Sequence, residues 1–99
     1  MLSKIPINLE KISQKNIDKE IIRAALIAEL DAINLYEEMA ALANDEAIKN
    51  VLLDVAKEEK EHVGEFQTLL LMFDSEQVEE LEEGRAEVEE ITGKRWNYF

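Results

Sequence analysis

A chain of 99 residues forms one small domain, whose modest core favours oligomerisation. The sequence has no cysteine, which excludes disulfides, thiol catalysis and metal sites with cysteine ligands. Its formal net charge of −12 at pH 7 would repel nucleic acid and anionic membrane surfaces, so we expect no nucleic-acid or membrane partner. No apolar run reaches the length of a membrane span and the N-terminal residues lack a secretory apolar segment, so we expect a cytoplasmic protein.

The first half of the chain is predicted to form an irregular arm, a long helix and a turn. Residues 1–15 are mixed in character, contain the only proline and are interpreted as an irregular arm. Helix 1 is predicted over residues 16–44, with Asn16 as its N-cap. The dipeptide Asn44-Asp45 predicts the turn that ends it. The stripe that recurs at steps of three and four residues consists of Ile22, Leu26, Glu29, Ile33, Tyr36 and Ala40.

The second half of the chain is predicted to form two further helices and a tail. Helix 2 is expected over residues 45–74, capped by Asp45, and helix 3 over residues 75–92, opened by Asp74. Residues 93–99 form a tail rich in aromatic side chains. The stripe of helix 2 consists of Leu52, Val55, Glu59, His62, Phe66, Leu69 or Leu70, and Phe73, and that of helix 3 of Val78, Leu81, Val88 and Ile91. The expected fold is therefore all-α, an antiparallel two-helix hairpin with a short third helix.

Three ionisable side chains interrupt the apolar stripes of the two long helices. Glu29 stands among apolar residues in helix 1, and Glu59 and His62, the only histidine, do so in helix 2. Position 29 and the 59/62 pair are nearly equidistant from the predicted turn, so an antiparallel hairpin brings all three side chains level. Ionisable groups that face a core need partners, because a buried unpaired charge is costly. The pattern predicts either a polar network or a metal site.

The metal hypothesis follows from the ligand types and their spacing. Glutamate on one helix and Glu-x-x-His on its neighbour is half of the carboxylate-bridged di-iron constellation of ferritin-like four-helix bundles. A second copy of the chain would supply the other half, which predicts a homodimer. Two chains carry four carboxylates and two imidazoles, so their four negative charges match two divalent cations. Oxygen and imidazole ligands suit iron or manganese, and also zinc.

Two neighbouring residues are candidates for supporting roles. Tyr36 is two turns after Glu29 on the same helix face. Its side chain is either part of the core or lies near the carboxylates and takes part in redox chemistry. Asp31 lies either on a solvated face or at the mouth of an access route for cations. Glu61 and Glu65 are predicted to lie on solvated faces.

At these residues the sequence resembles a known superfamily. Residues 28–37, AELDAINLYE, and residues 58–62, EEKEH, are similar to the rubrerythrin/ferritin-like superfamily. A single hairpin with a short third helix is specifically similar to the encapsulated ferritins, which are stored inside encapsulin shells. The resemblance covers residues 16–92.

This resemblance implies a function and an assembly. It implies that Glu29, Glu59 and His62 ligate iron in a di-iron centre (Fe2+/Fe3+) completed by a two-fold partner, with Tyr36 close by. It further implies ferroxidase activity for iron storage, a ring that is commonly a decamer of five dimers, and an encapsulin shell protein as partner. The chain would then act inside an encapsulin nanocompartment in the cytoplasm.

The chain also differs from some members of that family. Some carry tryptophan beside the tyrosine, where this chain has Leu35, and an acidic residue at the position of Ala28. Asp31 is then the remaining candidate metal ligand on the access route. The chain has no C-terminal peptide of the usual shell-targeting kind, and relatives without one are fused directly to a shell protein, so the aromatic tail is compatible with such a junction.

Two other functions fit the same pattern. One is a peroxide-scavenging di-iron or di-manganese protein of rubrerythrin or catalase type, although this chain lacks the cysteines of a rubredoxin electron donor. The other is a metal-free helical module whose stripes serve only assembly. Metal analysis after loading with Fe(II) separates this last possibility from the first two.

Overall fold

The chain forms three α-helices in a computed structural model that describes residues 16–96. α1 spans Ile17–Leu42, α2 spans Glu46–Phe73 and α3 spans Ser75–Thr92. The prediction of an all-α hairpin with a third helix is confirmed. The predicted arm and the last three residues of the predicted tail, 97–99, lie outside the described residues. None of the three helices is long and apolar enough to cross a membrane.

Ion pairs show that α1 and α2 run antiparallel. Near the start of α1, Arg23 Nη2 lies 2.9 Å from Oδ2 of Asp74, which follows the last residue of α2. Further along α1, Glu37 Oε2 lies 3.2 Å from Lys60 Nζ on α2. The two helices therefore pack along their length, whereas α3 contacts α2 much less extensively.

The turn between α1 and α2 is built by one capping side chain. Asp45 Oδ1 accepts a hydrogen bond from the backbone N–H of Ile48 at 3.1 Å, which confirms Asp45 as the cap of α2. α1 ends at Leu42, two residues earlier than predicted, because Ala43 adopts an extended backbone. At the other end of α1, Asn16 occupies the N-cap position, but its side chain makes no capping hydrogen bond.

Asp74 is the joint between α2 and α3. As the single residue between the two helices, it follows Phe73 and precedes Ser75. Its Oδ1 accepts from the Gln77 backbone N–H at 3.2 Å and caps α3, while its Oδ2 accepts from Arg23 on α1. One buried carboxylate thus holds parts of all three helices together.

The core within one chain is small. Among the described residues, the buried apolar side chains are Ile22, Ala40, Ala56 and Leu70. Other members of the predicted stripes, such as Leu26, Ile33 and Phe66, are only half-buried, and Phe73 is exposed. The apolar stripe of α3, Val78, Leu81, Val88 and Ile91, is exposed along its whole length. These surfaces lack a covering within the described chain.

Acid is expected to release α3 from the joint. The hydrogen bond from the Gln77 backbone N–H, followed by the Arg23 guanidinium, lowers the pKa of Asp74 below the usual aspartate value of 3.8. A carboxyl whose pKa is lower in the folded state stabilises the fold above pH 3.8, and that contribution is lost as the pH falls through the folded value. The protection factors of the α3 amides, which are corrected for the intrinsic exchange rate at each pH, should therefore fall more steeply in acid for the wild type than for Asp74→Asn.

The matched control for this experiment is Asp54→Asn, which changes an exposed aspartate in the middle of α2. Its exchange profile against pH should run parallel to that of the wild type. If Asp74→Asn also ran parallel to the wild type, the carboxylate would not be what holds α3.

Candidate metal centre

The two long helices bring the three predicted ligands together. His62 Nδ1 lies 3.3 Å from Glu59 Oε2 and 3.4 Å from Glu29 Oε2. One ligand atom from each of these residues lies within 4.8 Å of the other two. Within residues 16–96, this is the one group of histidine and carboxylate side chains whose spacing suits a metal ion.

Local geometry explains why these residues meet. Glu59 and His62 are three residues apart on α2, so they lie on the same face of the helix. Glu29 faces them from α1 because the hairpin is antiparallel. The ion pairs Arg23–Asp74 and Glu37–Lys60 also tie α1 to the rest of the chain, at positions on either side of Glu29 along α1.

The two carboxylates of the group are partly buried, and one of their oxygens has no hydrogen-bond partner among the described residues. The side chains of Glu29 and Glu59 are 21% and 18% exposed, and that of His62 is 43% exposed. Glu29 Oε2 is buried and has no hydrogen-bond partner among the described residues. His62 Nδ1 lies near this oxygen, but the geometry of the contact is not that of a hydrogen bond. Leaving a buried charged acceptor without a partner costs more than ~1–3 kcal/mol.

The donor set fits a metal ion. Carboxylate oxygens and imidazole nitrogen without sulfur suit iron, manganese and zinc. Nδ1 is the ring atom of His62 that faces both carboxylates. The same nitrogen either donates its proton to the carboxylates or, once deprotonated, offers a lone pair to a cation. A single chain supplies three ligand residues in this group, two of them negatively charged.

The other two candidate residues lie outside this group. Tyr36 is half-buried on the same face of α1 as Glu29, about 10 Å further along the helix axis. Asp31 is also half-buried, but two residues after Glu29 it is turned by about 200° around the axis and points to a different side of α1. Glu61 and Glu65 are exposed, as predicted.

Sequence reasoning missed the two ion pairs that tie α1 to the rest of the chain. Glu37 is exposed, and it also reaches Lys60 on the other helix. Counted outward from Asn44-Asp45, Glu37 and Lys60 lie 7 and 15 residues from the turn, and Arg23 and Asp74 lie 21 and 29 residues from it. The distance count that placed Glu29 opposite Glu59 and His62 therefore does not predict either ion pair.

The sequence matches a known family and its members. The pattern of the EncFtn-like family matches residues 5–72. The chain is 59% identical over 87 residues to a ferritin-like-encapsulin shell fusion protein of Pyrococcus furiosus, covering 88% of this chain and 25% of that protein. It is 39% identical over 69 residues to the encapsulin nanocompartment cargo protein EncC of Myxococcus xanthus, covering 67% of this chain and 53% of that protein. The chain thus spans a quarter to a half of the length of these relatives.

A solved structure has the same fold. The crystal structure of the encapsulated ferritin domain from Pyrococcus furiosus superposes with a TM-score of 0.81 at 55% sequence identity. The match covers 97% of this chain and 100% of that domain. The resemblance to encapsulated ferritins is confirmed, and the chain belongs to the EncFtn-like family.

Proposed function

We propose that this protein is a ferroxidase that oxidises Fe(II) to Fe(III) at a di-iron centre shared between two chains. The observation that carries the proposal is the group of Glu29, Glu59 and His62, in which Glu29 Oε2 is buried without a hydrogen-bond partner. A buried carboxylate oxygen in this condition, beside a second carboxylate and an imidazole, favours a bound cation.

The shared site is supported by ligand number and by charge. One chain supplies two carboxylates and one imidazole, too few for two metal ions, whereas a homodimer supplies the full constellation of a ferritin-like bundle. Four carboxylates then balance the charge of two Fe2+ ions. The half-buried Leu26, Ile33, Val55 and Phe66, which flank the group, leave apolar surface for a two-fold partner to cover.

Iron is the substrate in this proposal, and each Fe(II) that is oxidised gives one electron to dioxygen or peroxide. The carboxylates of Glu29 and Glu59 attract the divalent cation and favour the more highly charged Fe(III) product, because anionic oxygen ligands stabilise higher positive charge. His62 supplies the nitrogen ligand. Tyr36 lies on the same face of α1 and is proposed to contribute to the surroundings of the site, and Asp31 to guide cations toward it.

The relatives suggest where this chemistry takes place. One is by its name fused to an encapsulin shell, and another is a cargo protein of an encapsulin nanocompartment. We propose that this chain likewise acts inside an encapsulin compartment in the cytoplasm, in a higher ring such as a decamer, and supplies iron for storage there. A separate compartment is needed because an open assembly of such small chains encloses no mineral.

Anaerobic loading with Fe(II), followed by addition of dioxygen, tests this proposal. We expect about two iron ions bound for each pair of chains, and then the absorbance of Fe(III) after dioxygen is added. A protein that binds no iron at any ratio would be a metal-free assembly module. Bound iron without Fe(II) oxidation, together with rapid loss of added peroxide, would instead indicate a peroxide-scavenging protein.

A further inference from the structure

The chain turns back where α3 ends. Gly93 has a left-handed backbone with a φ of 69°, and its N–H donates to the Glu89 carbonyl oxygen at 2.8 Å. Glycine adopts this kind of helix cap without strain. The next residue, Lys94, donates its backbone N–H to Thr92 Oγ1 at 3.2 Å. The four residues after α3, which we call the strap, are Gly93, Lys94, Arg95 and Trp96.

One carboxylate of α3 fastens the end of the strap. Glu89 Oε1 accepts a hydrogen bond from the backbone N–H of Trp96, seven residues further along the chain, at 3.1 Å. The same oxygen accepts from Arg85 Nη1 at 2.8 Å, and Arg85 also pairs with Glu82. Hydrogen bonds to ionised groups are stronger than those between neutral groups. Arg85 thus orients the Glu89 carboxylate, and the carboxylate holds the strap.

The exposure pattern of α3 is the reverse of that of an ordinary amphipathic helix. The apolar residues Val88 and Ile91 are 58% and 82% exposed. The side chain of Glu89 is only 24% exposed, although it is charged. Partial burial matters here because water and salt weaken the interactions of fully exposed charges. Glu89 is therefore well placed to hold a neighbouring segment.

We propose that Glu89 is a latch that holds the strap against α3 and fixes the direction in which the chain leaves this helix. Val88, Glu89 and Trp96 line the cleft between α2 and α3, together with Gly64 and Leu71 of α2. The latched strap therefore lies on the side of α3 that faces α2. A glycine gives the backbone many conformations, so without the latch the chain after Gly93 would leave α3 in many directions.

The latch is separate from the proposed ferroxidase centre. Its parts belong to α3 and to the strap, whereas Glu29, Glu59 and His62 lie on the two helices of the hairpin. Failure of the latch would leave the iron proposal intact, and the reverse also holds.

Hydrogen exchange of the Trp96 amide, corrected for the intrinsic exchange rate, tests whether Glu89 holds the strap. Glu89→Ala removes the acceptor, so the protection of this amide should fall about ten-fold, as expected for the loss of a hydrogen bond to a charged group. Glu89→Gln keeps an oxygen acceptor without the charge and should lose less protection. Circular dichroism checks that the helical content is unchanged.

The matched control for this experiment is Glu90→Ala, which removes a carboxylate from the adjacent, exposed position of α3 and should protect Trp96 like the wild type. Equal protection in Glu89→Ala and the wild type would overturn the proposal. An unprotected Trp96 amide in the wild type would also overturn it.

Energy transfer from Trp96 tests the direction of the strap, because Trp96 is the only tryptophan and the chain has no cysteine. A dansyl acceptor is attached to Glu65→Cys, an exposed position on α2 beside Gly64. Excess unlabelled Trp96→Phe protein removes transfer between chains. Transfer should decrease when Glu89→Ala is added but not when Glu90→Ala is added. Transfer that is unchanged by Glu89→Ala would show that the latch does not fix the direction, and would overturn the proposal.

Discussion

Replacing Glu29, Glu59 or His62 with alanine is expected to lower the rate of Fe(II) oxidation by at least about 100-fold, since even residues that only support metal ligands cost ~10–100-fold when they are changed. In the shared site, each substitution removes both copies of a ligand. The helical content should be retained, because none of the three side chains belongs to the buried apolar core. Stopped-flow absorbance after mixing with Fe(II) and dioxygen measures the rate, and circular dichroism measures the helicity.

Neighbouring glutamates provide the matched controls. Glu61→Ala and Glu65→Ala each remove a carboxylate from the same helix, but at exposed positions. Substitutions of this kind usually change free energies by less than about 0.5 kcal/mol, so the oxidation rate should stay within about two-fold of the wild type. Rates near the wild-type value in all three ligand variants would refute the assignment of Glu29, Glu59 and His62.

Iron is expected to drive association of the chains. Without metal, dimerisation gathers four carboxylates into a poorly solvated seam, where like charges repel one another. Fe(II) cancels that charge and binds fully only where two half-sites meet, so it stabilises the assembled state over the monomer. At a free iron concentration 100-fold above the dissociation constant, this linkage contributes ~2.7 kcal/mol. Sedimentation velocity under argon, with and without Fe(II), should show a shift from small to larger species.

Neutral, nearly isosteric variants separate charge from shape in this experiment. Glu29→Gln and Glu59→Gln should relieve the repulsion, which gives stronger association without metal and weaker iron binding. Glu29→Gln should show the larger effect, because the buried oxygen of Glu29 has no hydrogen-bond partner among the described residues. A wild-type mass distribution that does not respond to iron, while iron is measurably bound, would place the whole site within one chain and contradict the shared centre.

The close approach of Glu29, Glu59 and His62 could be predicted from the sequence because it depends on few structural variables, the position of the turn and the period of the helices. A hairpin with one turn has a single register, and counting outward from Asp45 determines which positions on the two helices lie level. The capping role of Asp45 could be read from local chemistry for the same reason. These features are local or follow from one symmetric fold, so periodicity and one turn signal suffice.

Other features depend on long-range geometry that periodicity does not contain. The contact of Arg23 with Asp74 joins residues 51 positions apart, and it arises because Asp74 both ends the hairpin and starts α3. The direction in which α3 leaves the joint is set by the backbone of this one residue. Sequence periodicity predicted an apolar stripe on α3, but not that the stripe would be exposed along its whole length within the described chain.

The incomplete burial of the predicted core stripes has a different cause. Leu26 and Ile33 lie on the predicted core stripe, yet within a single chain they have only one neighbouring helix and remain half-buried. A pattern of apolar residues indicates which face is to be covered, but not whether the covering element belongs to the same chain.

The scarcity of large buried side chains has a consequence for the life of the protein in a cell. Among the described residues, no large side chain is completely shielded from solvent, and two of the four buried apolar residues are alanines. A chain with so small a core is expected to open often when it is alone, and proteases act on the opened form. In the proposed assembly, its lifetime should therefore increase with its rate of synthesis, since newly made chains at higher concentration find one another before they are degraded.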